Sequence, residues 1–306
     1  MKWKKKGLIF VTEGRHSWAQ THAMIPTPEF INNNCLRFYV TVCDKQGIGR
    51  IGYVDVSANP LCKVIQVAES PILDIGDPGT FDENGILVTS IVNLPDGTKY
   101  LYYVGFEIGT KIRYRLLTGL AISRDNGKSF ARMQKTPILE RSDQELYFRG
   151  GPFVIYENGS FRMWYVGGNK WLTINGKEMP VYTINYLESN DGITWDKYGK
   201  VCIDIVNENE HGFGRPYIIK HDGKYKMFYS IRVKYLGYRL GYAESTDGIN
   251  WIRKDQDIGI NVSESGWDSE AVCYSAVIKI NDQYYMFYNG NEFGKTGFGW
   301  AELVEW

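Results

Sequence analysis

The segment ESGWDSEAV, residues 264–272, sets two carboxylates two positions apart, Asp268 and Glu270, beside Trp267 and just ahead of the apolar run VCYSAVIKI. If the segment is extended, both acids leave on one face, because side chains in a strand alternate. Like charges held that close and partly buried raise a carboxyl pKa, which suits general-acid work. The plainer reading is a solvated acidic turn. A second acidic pair, Asp82 and Glu83, precedes GILVTSIV in the same way. Arg149 in FRGGP and Arg215 in GFGRP offer planar forks for a carboxylate or phosphate.

The elements that must position these groups recur five times in one order. An apolar run entered through polar residues comes first: HAMIPTPEF from His22, DENGILVTSIV from Asp82, FRGGPFVIY from Phe148, GFGRPYIIK from Gly212 and SEAVCYSAVIKI from Ser269. A turn and an aromatic strand follow, as in PDGTKYLYYVGF and HDGKYKMFYSIR, and such Asp-Gly turns join antiparallel neighbours. A third strand comes next, as in LTGLAISRD, TINYLESND and RLGYAESTD. Antiparallel strands repeating at about 55 to 70 residues are the sequence form of a β-propeller blade. The expectation is an all-β, five-bladed propeller of four-stranded antiparallel blades at about 22–73, 81–139, 147–204, 211–260 and 267–306. The last repeat lacks an outer strand. Residues 3–13 can supply it, closing the ring and removing an exposed edge, so that 1–306 form one domain.

In a propeller the first strand of each blade lines the axis, and its start opens on the same face as the loop after the second strand. The strand entrances bring His22, Asp82, Glu83, Arg149, Arg215, Trp267, Asp268 and Glu270 to that mouth, and the loops bring Lys170, Trp171, Arg232 and Asn289. The mouth is then divided into an acidic side suited to proton transfer and a cationic side suited to an anionic ligand.

Composition narrows the partners. The 306 residues carry zero formal net charge, which leaves no electrostatic footprint for nucleic acid or an anionic membrane. Five scattered cysteines form no CxxC pair and read as reduced thiols, which points to the cytoplasm. The apolar part of the N-terminus, GLIFV, is too short for a signal-peptide core, and no membrane-length run occurs. No metal or cofactor motif is recognisable, so neither is expected. The aromatic share of 15% suits strands and sugar-stacking surfaces.

The five repeats, the hairpin strand DGKYKMFYS and the third strand YAESTDGINW resemble the five-bladed propeller glycosidases, the superfamily of β-fructosidases, arabinosidases, xylosidases and mannoside phosphorylases. The resemblance covers nearly the whole chain. It implies a carbohydrate-active, glycoside hydrolase-like enzyme. Where such families place an acid in the first repeat this chain has His22, and RGGP and GRP stand where acid-bearing motifs would fall in the middle blades. The expected acid is therefore Glu270, the base or nucleophile Asp82, and Asp268 the neighbour that tunes Glu270. His22, Glu83, Arg149, Lys170, Trp171, Arg215, Arg232, Trp267 and Asn289 are expected to hold the substrate. That substrate is an anionic, phosphorylated or nucleotide-linked sugar of cell-surface polysaccharide metabolism. Two alternatives stay open: phosphorolysis, with Arg149, Arg215 and Lys170 holding the attacking phosphate, and a sugar-binding propeller without turnover.

Overall fold

The computed structural model describes residues 1–58 and 61–306. Strand β1 (Lys2–Phe10) is followed by a four-stranded meander of β2 (Thr21–Asn32), β3 (Cys35–Cys43), β4 (Gly49–Ala58) and β5 (Leu61–Val67). The next runs through β6 (Ile86–Asn93), β7 (Lys99–Ile108), β8 (Tyr114–Ser123) and β9 (Ala131–Arg132). It is followed by β10 (Phe148–Glu157), β11 (Ser160–Ile174), β12 (Lys177–Ser189) and β13 (Lys200–Ile203), a meander joined to the one before it in a single eight-stranded sheet by a short parallel pairing of β10 with β8, Phe148↔Leu116 and Arg149↔Leu117. Then come β14 (Glu210–His221), β15 (Lys224–Val233), β16 (Arg239–Ser245) and β17 (Ile252–Arg253), and finally β18 (Cys273–Ile280), β19 (Gln283–Asn289) and β20 (Phe298–Glu305). The strand expected at 3–13 is β1, which pairs antiparallel with β20 from Lys2↔Glu305 to Phe10↔Phe298. Among the described residues the helical segments are two three-residue 3₁₀ turns, and no helix is long and apolar enough to cross a membrane.

The second strands explain the stacking. Each carries an aromatic residue followed by tyrosine: Phe38-Tyr39, Tyr102-Tyr103, Trp164-Tyr165, Phe228-Tyr229 and Phe287-Tyr288, all fully buried. Neighbours in a strand point to opposite faces, so each meander must be covered on both. The third strand makes room for the tyrosine. Gly119 pairs with Tyr103 and Gly241 with Tyr229, and a Cβ at either glycine would come within 2.3 Å of the ring.

The first strands lie inside. Their contacts run β2 to β6, β6 to β10, β10 to β14, β14 to β18, and from β18 back to β2. Each breaks register with its hairpin partner at a corresponding place, between Met24 and Thr27, Val88 and Ser90, Gly150 and Phe153, Gly214 and Tyr217, and Cys273 and Ala276. A bulge of this kind bends the strand and re-aims a side chain.

Removing residues 1–11 should expose the edge of β20 and leave the buried Asp268 without the Lys5 ammonium that lies 2.6 Å away. The expected outcome in thermal denaturation is a Tm lower by about 10 °C or more, since each kcal/mol lost costs about 2–4 °C in a chain of this size. A truncated protein that melts like the whole chain would show that β1 is dispensable.

Candidate functional site

The buried tyrosines of the second strands need acceptors, and each has found a carboxylate. Tyr39 donates to Glu29 at 2.7 Å, Tyr103 to Asp82 at 2.9 Å, Tyr165 to Glu145 at 2.7 Å, Tyr229 to Asp255 at 2.5 Å and Tyr288 to Asp268 at 2.9 Å. Each carboxylate is in turn held by a cation. Lys99 pairs with Glu29, Arg132 with Asp82 at 2.7 Å, Arg149 with Glu145 at 2.8 Å, Arg253 with Asp255 at 2.5 Å and Lys5 with Asp268 at 2.6 Å. Burial first, and the adjacent carboxylate second, push all five phenols well above their ordinary value. Burial also raises Glu145, against the opposing pull of Tyr165, Arg149 and the Asn185 amide.

These triplets take up several of the residues expected at the mouth. Asp82, Asp268 and Arg149 all belong to them. The segment around Asp268 and Glu270 is a turn and not an extended strand, so the alternation that would place both acids on one face does not operate. Asp268 is buried against Lys5 and Tyr288, whereas Glu270 is exposed. Trp267 stacks on Tyr288 with centroids 5.1 Å apart and fills the space above Gly299. Asn289 is a tie between the two ends of the chain: it accepts from Ile25 N–H at 2.7 Å and donates to the Ala23 and Gly297 carbonyls. Glu83 accepts from Gly79 N–H at 2.7 Å in its own turn. Lys170 is exposed beside a separate cleft, and Trp171 packs on Tyr114 and Phe148.

Where the five inner strands meet, a cavity of about 360 Å³ takes one residue from each bulge: Ile25, Thr89, Gly151, Arg215 and Tyr274. His22, Asn84, Arg232, Tyr114, Tyr182 and Tyr238 add polar groups to its lining, and among the described residues no Asp or Glu lines it. A larger cleft, about 540 Å³, lies at the outer strands β1 and β5, away from this convergence.

Two charges face the cavity unbalanced. Arg215 is 3% exposed, and its guanidinium donates to the carbonyls of Tyr274 and Ser275 at 2.9 Å, to Pro26 O at 3.2 Å and to Thr27 Oγ1 at 2.9 Å. Burial pulls it down to about 10. Arg232 is 5% exposed, donates to Pro180 O at 3.2 Å and lies over the rings of Tyr182 and Tyr238 at 5.0 and 5.7 Å. Neither has a carboxylate partner among the described residues, and the Nε–H of each meets no acceptor there. A buried cation is costly unless paired, so two at one cavity leave positive charge there without a counter-ion. The wall is also strained: His22, Ile25, Arg215 and Tyr274 hold left-handed φ values of 61°, 57°, 37° and 53°.

Next to this cavity lies an outer chamber of about 400 Å³, whose lining includes Glu270, Glu292, His211, Lys234 and Tyr235. It shares Arg232, Tyr238 and Phe293 with the inner cavity. Buried His211 places its Nδ1 3.2 Å from Pro180 O, and burial, then Arg232, lowers its pKa to about 4. Burial, then Lys295, lowers His22. Among the described residues no three His, Cys, Asp or Glu stand together as a metal site. The cavity tyrosines lie outside the expected set, which holds charged, amide and tryptophan side chains of the strand entrances and second-strand loops. The recurring aromatics near the third-strand starts, Tyr182 and Tyr238, were the available signal.

No protein-family model matches the sequence. The chain is 35% identical to "Uncharacterized protein Rv1502" of Mycobacterium tuberculosis over 303 residues, 99% of each chain. It is 27% identical to "Beta-1,2-mannobiose phosphorylase" of Thermoanaerobacter sp. over 168 residues, 51% of this chain and 53% of that one. Among solved structures it matches a "Glycoside hydrolase" with a TM-score of 0.72 at 20% identity, covering 98% of this chain and 91% of that one. It matches the β-1,2-mannobiose phosphorylase of Listeria innocua, in complex with β-1,2-mannobiose, with a TM-score of 0.69 at 12% identity, covering 99% and 96%. The fold is the β-propeller of these glycosidases and mannoside phosphorylases.

His211 is neutral in the fold, so the stability it contributes is full above its ordinary value of 6.5 and is lost as pH falls towards about 4. Urea denaturation between pH 7 and pH 4 should show His211→Gln losing less stability than the parent. Parallel curves would mean that His211 takes no part in the acid sensitivity.

Proposed function

The chain belongs to the family of the Mycobacterium tuberculosis protein Rv1502, and we propose that it is a carbohydrate-active protein whose axial cavity takes the anionic group of a sugar. The five meanders read as the blades of one closed ring and one domain, with β1 completing the last blade. The return of β18 to β2 and the pairing of β1 with β20 support that reading. The observation that carries the function is the pair Arg215 and Arg232, buried without carboxylate partners at a cavity that no acid lines. A phosphate or carboxylate placed there would gain charge-assisted hydrogen bonds in a desolvated site. His22 and the hydroxyls of Tyr114, Tyr182, Tyr238 and Tyr274 would orient the sugar. All five cysteines are unpaired, which supports a reducing compartment such as the cytoplasm.

A second reading concerns catalysis. Two-carboxylate hydrolysis would need a pair of free acids at the cavity, but Asp82 and Asp268 are each committed to a tyrosine and a cation. Phosphorolysis needs only one. In it a phosphate held by Arg215 and Arg232 attacks the anomeric carbon, the glycosidic C–O bond breaks, and Glu270 in the adjoining chamber protonates the leaving oxygen. The partial likeness to a β-1,2-mannobiose phosphorylase favours this version.

Calorimetry at fixed ionic strength should detect binding of inorganic phosphate and of hexose 6-phosphate, and markedly weaker binding of the free hexose. Arg232→Met should weaken both anions about 10- to 100-fold, the worth of a hydrogen bond to a charged group. Unchanged affinity in a folded variant would remove Arg232 from the site. For phosphorolysis, hexose 1-phosphate should appear from β-1,2-mannobiose only when phosphate is present, and Glu270→Gln should abolish it. Phosphate-independent release of mannose would overturn that reading.

A further inference from the structure

We infer that the inner cavity and the outer chamber are two subsites of one channel, and that the channel takes a phosphorylated disaccharide with its phosphate innermost and its second, neutral ring outside. This rests on the anion-binding reading of the inner cavity and goes on to name the ligand. Three residues, Arg232, Tyr238 and Phe293, wall both spaces, so a ligand seated on Arg232 extends into the outer chamber without leaving the protein surface.

The charges sort the two ends. The inner cavity has arginines and no acid, whereas in the outer chamber Glu270 and Glu292 stand against Lys177 and Lys234. An anionic group is drawn to the arginines that lack a counter-ion and not to the chamber whose acids and lysines offset one another, which fixes the direction of the ligand. The orphan Nε–H groups of two separate guanidiniums, together with several tyrosine hydroxyls, suit the multiple terminal oxygens of a phosphomonoester better than the two of a carboxylate.

The outer chamber is built for a sugar face. Tyr235 is 71% exposed, Leu236 62% and Phe293 48%, and all three line this one chamber. Aromatic rings bared beside two acids and two lysines give a pyranose both an apolar platform and partners for its hydroxyls. Strain points to the same place. Among the described residues, eight that are neither glycine, asparagine nor aspartate hold a left-handed φ, and seven of them line one of the two chambers. Tyr235, Glu292 and Phe293, at 64°, 50° and 60°, are the outer three. Such conformations persist where the surroundings enforce them, and they cluster at ligand clamps.

The test is calorimetry on the full chain with inorganic phosphate, hexose 6-phosphate, a panel of disaccharide 6-phosphates, and the same disaccharides without phosphate. At least one disaccharide phosphate should bind about tenfold or more tighter than hexose 6-phosphate. Tyr235→Ala, at a side chain too exposed to matter for folding, should erase that advantage while leaving inorganic phosphate within about twofold, and Tyr235→Phe should restore it. If phosphate and hexose 6-phosphate bind through Arg232 but no disaccharide phosphate gains, or if the gain survives Tyr235→Ala, the two-subsite channel is wrong and the anion site stands. If neither phosphate nor hexose 6-phosphate binds, the anion site itself is wrong and this inference falls with it.

Discussion

A phenol that is fully buried on a central strand must have its hydroxyl satisfied, and here a carboxylate satisfies it in every meander. The carboxylate, once buried, requires a cation, because an unpaired ion there costs about 3–5 kcal/mol. The tyrosine keeps its place in the second strand, whereas its partners come from wherever the chain can supply them. Asp82, Glu145 and Asp268 precede a first strand, Glu29 lies within one, and Asp255 follows a fourth. Lys99 of β7 reaches Glu29 of β2 and so binds one meander to another, whereas Lys5 of β1 reaches Asp268 ahead of β18 and ties β1 into its own sheet. These ion pairs therefore fasten strands as well as filling the layers.

The cost falls on the site. Asp82 and Asp268 are enclosed in the scaffold, and the cavity where the inner strands meet is left with arginines, tyrosines and a histidine. Positive charge without its counter-ion is the defining property of that cavity. Arg215 shows how the two roles meet in one residue. Its fork is anchored to carbonyls of β18 and β2, which ties three inner strands together, while its Nε–H is left over.

The repeats and their order were legible because strand alternation and Asp-Gly turns are written locally in the sequence. The pairing of β1 with β20 was legible for a different reason, as the last repeat lacked a strand. The site was only half legible. Arg149 and Arg215 sit in similar motifs, RGGP and GRP, yet only the second reaches the cavity. The bulge residue is the one before proline. That place is Arg215 in the fourth repeat but Gly151 in the third, where Arg149 lies two residues earlier and turns to Glu145. Nothing in residue type announces a bulge, and the two-residue offset leaves Arg149 in the regular ladder opposite Gly167, ahead of the bulge that brings Gly151 to the cavity. The same limit applies to Asp268 and Glu270, whose separation by two residues means one thing in a strand and another in a turn.

The pairing of β1 with β20 also governs the order of events at synthesis. Residues 2–10 are made long before the strand they pair with at 298–305, with nearly 300 residues in between. At ordinary translation rates of about 5–20 residues per second the delay is about 15 to 60 s. During that time LIF of β1 has no sheet to join, and its lysines keep the waiting segment soluble. Asp268 and its ammonium partner are separated by 263 positions, so this ion pair cannot form until the whole of that span has been made.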